Sequence, residues 1–132
     1  MDNSIKVCVI DDDEVFQYTI FHTLEAHKTV DKIIPFTDGA EAMSFFNMNI
    51  DDHNKLPDIV FLDVNMPVMD GYRFMDEYLK LMPKISKKIT FYILSSSVDL
   101  VDFEKTKMIK EVSDYIVKPI RDNQLTKILA EI

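Results

Sequence analysis

The residues able to do chemistry in this chain of 132 residues stand where apolar runs stop. Ile5-Lys6-Val7-Cys8-Val9-Ile10 ends in Asp11-Asp12-Asp13-Glu14, and Ile59-Val60-Phe61-Leu62 ends in Asp63. Ile89-Thr90-Phe91-Tyr92-Ile93-Leu94 ends in Ser95-Ser96-Ser97, and Tyr115-Ile116-Val117 ends in Lys118-Pro119. Carboxylates sharing one crevice raise each other's pKa unless a cation lies between them. Mg²⁺ suits such a place, since it takes one or two carboxylates, keeps waters and shares a phosphate oxygen. A metal alone leaves the hydroxyl and the lysine without a role. They suit a dianionic phosphoryl group, with Lys118 as a point charge and Ser95 as a hydrogen-bond donor. A carboxylate nucleophile, Asp63, can then carry that group as an acyl phosphate, while Mg²⁺ and Lys118 offset charge on the transferring oxygens.

For these groups to meet, the elements carrying them must share an edge. Five short runs read as strands: Ile5–Ile10, Val30–Phe36, Asp58–Leu62, Ile89–Leu94 and Tyr115–Val117. Several are β-branched and nearly continuous in apolar character, as strands buried on both faces are. The second is interrupted by Lys32 and Pro35, and a proline without an N–H suits an edge. Helical periodicity separates the strands. It runs from Val15 to Lys28, with Phe16, Ile20, Leu24 and His27 on one stripe and Phe21 beside it. It resumes after Asp38, a candidate N-cap with Glu41 three residues on, through Ala42, Met43, Phe45 and Phe46. After Asp70-Gly71 it carries Phe74, Tyr78, Leu81 and Met82, and Pro83 ends it. From Asp99 to Lys110 it carries Leu100, Phe103, Lys107 and Met108, with Ser97 a candidate cap. From Asp122 it carries Leu125, Ile128, Leu129 and Ile132.

Strict alternation predicts an α/β fold, a parallel five-stranded sheet with helices on both faces and right-handed crossovers. The flavodoxin-like order 2-1-3-4-5 places its switch point between strands one and three, where ligands bind. Asp11 and Asp12 then lie on one side of the crevice and Asp63 on the other.

Composition bounds the rest. The chain is 47% hydrophobic with net charge −8, sized for one domain spanning residues 1–132. An acidic balance without a basic cluster gives no electrostatic footprint for nucleic acid or anionic membrane. Cys8 is the single cysteine, which fits a reducing compartment. Met1-Asp2-Asn3-Ser4 does not begin a signal peptide, and no apolar run nears the roughly 20 residues that cross a bilayer. The expectation is a cytoplasmic protein.

In these residues the chain resembles response-regulator receiver domains of two-component signalling. The resemblance rests on Val9-Ile10-Asp11-Asp12-Asp13, Phe61-Leu62-Asp63-Val64-Asn65-Met66-Pro67-Val68-Met69-Asp70-Gly71, Ile93-Leu94-Ser95-Ser96 and Asp114-Tyr115-Ile116-Val117-Lys118-Pro119. It implies that Asp63 accepts phosphate from a sensor histidine kinase or a histidine phosphotransfer protein. It implies that Asp12 and Asp63 ligate Mg²⁺ directly, with Asp11 acting through water and the Asn65 backbone carbonyl completing the protein ligands. Ser95 would be the switch hydroxyl, Tyr115 the switch aromatic, and Lys118 the partner of the phosphoryl group, before a bond to Pro119 that is usually cis in such domains and that the sequence leaves open here. Such a domain is a switch and not an enzyme, at most promoting its own phosphorylation and dephosphorylation. The expectation extends to a receiver without an output domain, monomeric or weakly dimeric, acting on a downstream protein through its fourth helix, fifth strand and fifth helix. The chain departs from many relatives by serine in place of threonine at Ser95, and by Glu111-Val112-Ser113 where glycine is common.

Two other readings compete. Asp11-Asp12-Asp13 also resembles the Asp-x-Asp nucleophile of haloacid-dehalogenase-type phosphatases, using Asp11 and Asp13. Those enzymes need a further acidic pair on a later strand, and only Asp122 and Glu131 follow Lys118. A receiver-like interaction module independent of phosphate is the second, and the intact set of acids, hydroxyl and lysine argues against it.

Overall fold

Five parallel strands lie in the order β2-β1-β3-β4-β5. The computed structural model describes residues 5–97 and 99–131. The strands are β1 Ile5–Ile10, β2 Val30–Phe36, β3 Ile59–Asp63, β4 Thr90–Ser95 and β5 Val112–Val117. The helices are α1 Glu14–Glu25, α2 Gly39–Met48, α3 Gly71–Leu81, α4 Leu100–Lys107 and α5 Asp122–Ala130, with a 3₁₀ turn at Met82–Lys84. This is the flavodoxin-like order predicted above. Pro35 stands on edge strand β2, level with Val9, where its missing N–H costs no ladder bond on the open side.

The period-two alternation of strand side chains divides the core in two. On one face Val7, Val9, Phe61 and Leu94 pack with Ile20 and Leu24 of α1 and Leu125, Ile128 and Leu129 of α5. On the other, Cys8, Ile10, Leu62 and Ile93 pack with Ala42, Met43 and Phe46 of α2 and Phe74, Met75 and Tyr78 of α3. Strand β3 is buried along its whole length. That explains its unbroken apolar run and leaves its final carboxylate at the floor of the crevice.

Acids cap four helices by satisfying N–H groups that the first turn leaves unpaired. Asp13 accepts from Val15 and Phe16, Asp38 from Ala40, Asp70 from Arg73, and Asp99 from Val101 and Asp102. Asp99 therefore does what was expected of Ser97, because its carboxylate oxygen reaches both amides. Helix α1 ends at Glu25, short of the expected Lys28, and β5 begins three residues before the expected Tyr115. The largest departure is α4. It is shorter than predicted, Leu100 and Met108 are exposed, and Thr106 is its one buried residue. The expected place of Ile132 on the last helix lies outside the described residues.

Candidate functional site

Strand β1 delivers Asp11 fully buried and Asp12 exposed beside it. Both oxygens of Asp11 are used. Oδ1 accepts the backbone N–H of Asp13 at 2.9 Å, and Oδ2 faces Lys118 Nζ at 2.8 Å. Gln17 fixes the strand end from the first turns of α1. Its amide nitrogen lies 3.1 Å from the Val9 carbonyl, 3.0 Å from that of Asp11 and 2.9 Å from that of Phe36. Asp13 has turned away to cap α1, so the pair Asp11/Asp13 required by the phosphatase reading is split between two tasks.

Asp63 is the last residue of β3, paired with Leu94 of β4 and 4% exposed. Burial pushes its carboxyl up to about 6, and Asp11 and, more weakly, Asp12 push the same way. Lys118, with Nζ at 3.8 Å, and the Asn65 backbone N–H oppose them. The chain leaves Asp63 through a tight loop. Val64 donates to Leu94 and Gly71 donates back to Val64, each at 3.0 Å. Between them Met69 N–H reaches the Pro67 carbonyl at 2.7 Å, closing a γ-turn on Val68 with φ 69°. A β-branched residue in that region holds about 1–3 kcal/mol of strain, and the strain lies five residues from Asp63. Gly71 is there for close approach: a Cβ would stand 2.6 Å from the Asp63 carbonyl oxygen. Gly39 plays the same part at the start of α2, where a Cβ would meet the Met69 carbonyl at 2.8 Å.

Ser95 closes β4 and is buried. Its hydroxyl donates to the Ser97 carbonyl at 2.8 Å, and the Tyr115 phenol donates to the same oxygen at 3.1 Å. Lys118 follows β5; its backbone N–H bonds the Ser95 carbonyl at 2.7 Å, and its peptide bond to Pro119 is cis. The ammonium also sits 4.7 Å above the Phe16 ring, a favourable placement for a cation.

All the strand-end groups singled out in the sequence therefore reach one edge. One carboxylate oxygen from each of Asp11, Asp12 and Asp63 lies within 4.8 Å of the others. This all-oxygen, acid-rich donor set fits a small hard divalent cation such as Mg²⁺. Asn65 stands two residues beyond Asp63, near enough in the chain for its backbone to face the same carboxylate. Lys118 Nζ sits closer to Asp11, at 2.8 Å, than to Asp63, at 3.8 Å. Sequence reading missed Gln17, whose amide gives no pattern on its own, and Phe16, which served only as a core stripe residue. It also missed the packing reason for Gly71, which had been a helix-start signal.

The response regulator receiver domain model matches residues 7–130. The crystal structure of a two component response regulator from Cytophaga hutchinsonii superposes with TM-score 0.86, is 26% identical, and covers 97% of this chain and 96% of that one. The phosphorylated cyanobacterial phytochrome response regulator RcpA is also 26% identical, with TM-score 0.76 over 97% of this chain and 90% of that one. Among curated relatives, the transcriptional regulatory protein YpdB of Escherichia coli K12 is 25% identical over 97% of this chain, which spans 47% of that protein. The chain thus covers less than half the length of such relatives. A domain-wide match in sequence and fold, with a buried aspartate, an acidic pair and a lysine meeting at one sheet edge, places this chain in the response regulator receiver domain family.

Proposed function

We propose that this chain is a phosphoacceptor switch in which Asp63 takes a phosphoryl group from a phosphohistidine of a sensor histidine kinase or a histidine phosphotransfer protein. The observation that carries this reading is the meeting of Asp11, Asp12 and Asp63 within 4.8 Å, with Lys118 bridging two of them. An Asp63 carboxylate oxygen attacks phosphorus, the phosphorus–nitrogen bond breaks, and the electron pair leaves with the imidazole nitrogen, which takes up a proton from solvent. The product is an acyl phosphate. Asp11, Asp12, Asp63 and the Asn65 carbonyl would hold Mg²⁺, which when bound supplies positive charge to the transferring oxygens. Lys118 supplies further charge from the opposite wall. That RcpA is a phosphorylated neighbour supports the assignment.

Signalling follows from what the new dianion attracts. The Ser95 hydroxyl spends its proton on the Ser97 carbonyl, and to serve a phosphoryl oxygen it must release that acceptor. Tyr115 holds the same carbonyl, so both residues answer to one change. Phosphate contacts bias a two-state equilibrium. Its output face would be α4, β5 and α5, where Leu100, Met108 and Val117 are exposed, reading out to a downstream protein. The family is chiefly one of switches and not of enzymes.

Incubation with Mg²⁺ and acetyl phosphate, followed by intact mass, tests the reading. One phosphoryl mass increment is expected, absent in Asp63→Asn and absent without divalent cation. Lys118→Ala is expected to keep metal binding but lose the chemical-shift response of α4 and β5. Steady phosphatase activity that survives Asp63→Asn and dies in Asp11→Asn would restore the dehalogenase-type alternative.

A further inference from the structure

Helix α4 is attached in a way that none of the roles above explains. The Tyr72 phenol, from the first turn of α3, donates to the Asp102 backbone carbonyl of α4 at 3.0 Å. The Lys105 ammonium of α4 lies 5.1 Å above the Tyr72 ring. Burial pushes the phenol up to about 12, so it remains a donor at any physiological pH. On its other flank α4 is held by Phe103, edge-on to the Tyr115 ring with centroids 5.8 Å apart. On its underside Thr106 is 4% exposed and lies beside the Tyr72 phenol, and its hydroxyl finds no partner in hydrogen-bond geometry among the described residues. A buried hydroxyl without a partner costs on the order of 1–3 kcal/mol.

We propose that Tyr72 and Thr106 are positioning residues that set the resting balance of the switch: Tyr72 fastens α4 in place, and the unsatisfied Thr106 hydroxyl keeps that fastening weak. Tyr72 suits this task by its place in the chain. It follows Gly71, whose backbone packs on Asp63 and bonds Val64, so the tether begins at the acceptor loop and ends on the output helix. When Tyr115 moves toward Ser95, Phe103 loses its ring partner and the Tyr72 bond remains as the opposing restraint. A ligand or modification shifts a two-state equilibrium only against such a restraint. This inference rests on the phosphoacceptor reading for its signalling consequence, but not for the tether itself.

The test uses two variants with opposite expected signs. Tyr72→Phe removes only the donor. In unphosphorylated protein, backbone amides of α4 are expected to exchange about tenfold faster, with α3 and α5 unchanged, the size that loss of one hydrogen bond gives. Phosphorylation by acetyl phosphate is expected to become several-fold faster, because the released form is already populated. Thr106→Val replaces the unpaired hydroxyl by a methyl of the same shape. It is expected to slow both α4 exchange and phosphorylation. Unchanged α4 exchange in both variants, or faster phosphorylation in both, would overturn the proposal. Should neither wild type nor variants gain phosphate mass, the phosphoacceptor reading falls, while hydrogen exchange still decides the tether.

Discussion

Helices α3 and α4 each follow a strand that ends in a site residue, Asp63 for one and Ser95 for the other, yet they are built on opposite plans. Helix α3 buries Gly71, Phe74, Met75 and Tyr78. Phe74 and Tyr78 are locked edge-on against Phe46, with centroids 5.7 and 5.9 Å away. Helix α4 buries Thr106 alone and turns Leu100, Val101 and Met108 to solvent. The lesson is a division of labour. The half that holds Asp63 is anchored by deep packing, which over-determines a strained loop and a buried charge. The half proposed to move is held by the Tyr72 bond, the Lys105 ammonium over the Tyr72 ring, the Phe103–Tyr115 edge contact and little apolar burial. Segments that open at low free energy have few buried apolar contacts.

The largest effect that separates the two plans is expected from Phe74→Ala. Phe74 is fully buried on α3, and truncating such a side chain costs about 3–5 kcal/mol, part transfer and part cavity. Equilibrium urea unfolding measures it. A loss under about 1 kcal/mol would mean that α3 is no better anchored than α4, on the scale where surface changes fall.

The same contrast decides what could be read from the sequence. Helix α3 was legible because burial obeyed its period: the spacing of Phe74 and Tyr78 and the start at Asp70-Gly71 survive in the structure. The five strands, their order and the convergence of Asp11, Asp12, Asp63, Ser95 and Lys118 were legible because parallel strands share one edge. The place of helix α4 in the chain was legible too, but not what its apolar residues face, since amphipathic spacing carries no sign. Leu100 and Met108 form a stripe, but the sequence does not say whether the core or a partner receives it. Lys118 reaches the crevice expected of it, with Nζ 2.8 Å from Asp11 and 3.8 Å from Asp63. Gln17 and Tyr72 stayed hidden because both act on backbone carbonyls, and a carbonyl has no residue type.

A second test concerns the charge that the anchored half tolerates. The Asp63 carboxyl moves from 3.8 in the unfolded chain to about 6 in the folded one. Between those values the native state binds more protons than the unfolded state, so stability falls as pH rises from about 4 to about 6 and is level above. A displacement of that size corresponds to roughly 3 kcal/mol at neutral pH. Metal-free Asp63→Asn is therefore expected to be more stable than wild type at pH 7 by up to roughly that amount. It should match wild type near pH 4 and show a flattened profile between. Added Mg²⁺ should stabilise wild type and not the variant. A wild type whose metal-free stability rises from pH 4 to 6 would contradict the sign.

Gly71→Ala is expected to show how little slack the loop has. The new methyl would meet the Asp63 carbonyl oxygen at 2.6 Å and the Val64 Cα at 3.1 Å, both backbone. Nothing flexible can give way, so the strand end or the helix start must shift, at a cost of about 1–3 kcal/mol. Because the displaced atoms belong to the proposed acceptor residue, phosphorylation should slow by more than the stability loss alone explains. Thermal unfolding and acetyl phosphate kinetics on one preparation separate the two effects.

The smallest effect is expected at an exposed member of the α4 stripe. Leu100 is 74% exposed on α4, so Leu100→Ala removes little buried surface, and its stability should stay within about 0.5 kcal/mol of wild type. The comparison turns on what does change. If α4 keeps its apolar face for a partner, Leu100→Ala leaves folding, metal affinity and phosphorylation rate alone and weakens only capture of the downstream protein by phosphorylated domain. A loss near that of Phe74→Ala would instead mean that Leu100 packs inward in solution. Helix α4 would then be as firmly seated as α3, and the division between an anchored half and a movable half would collapse.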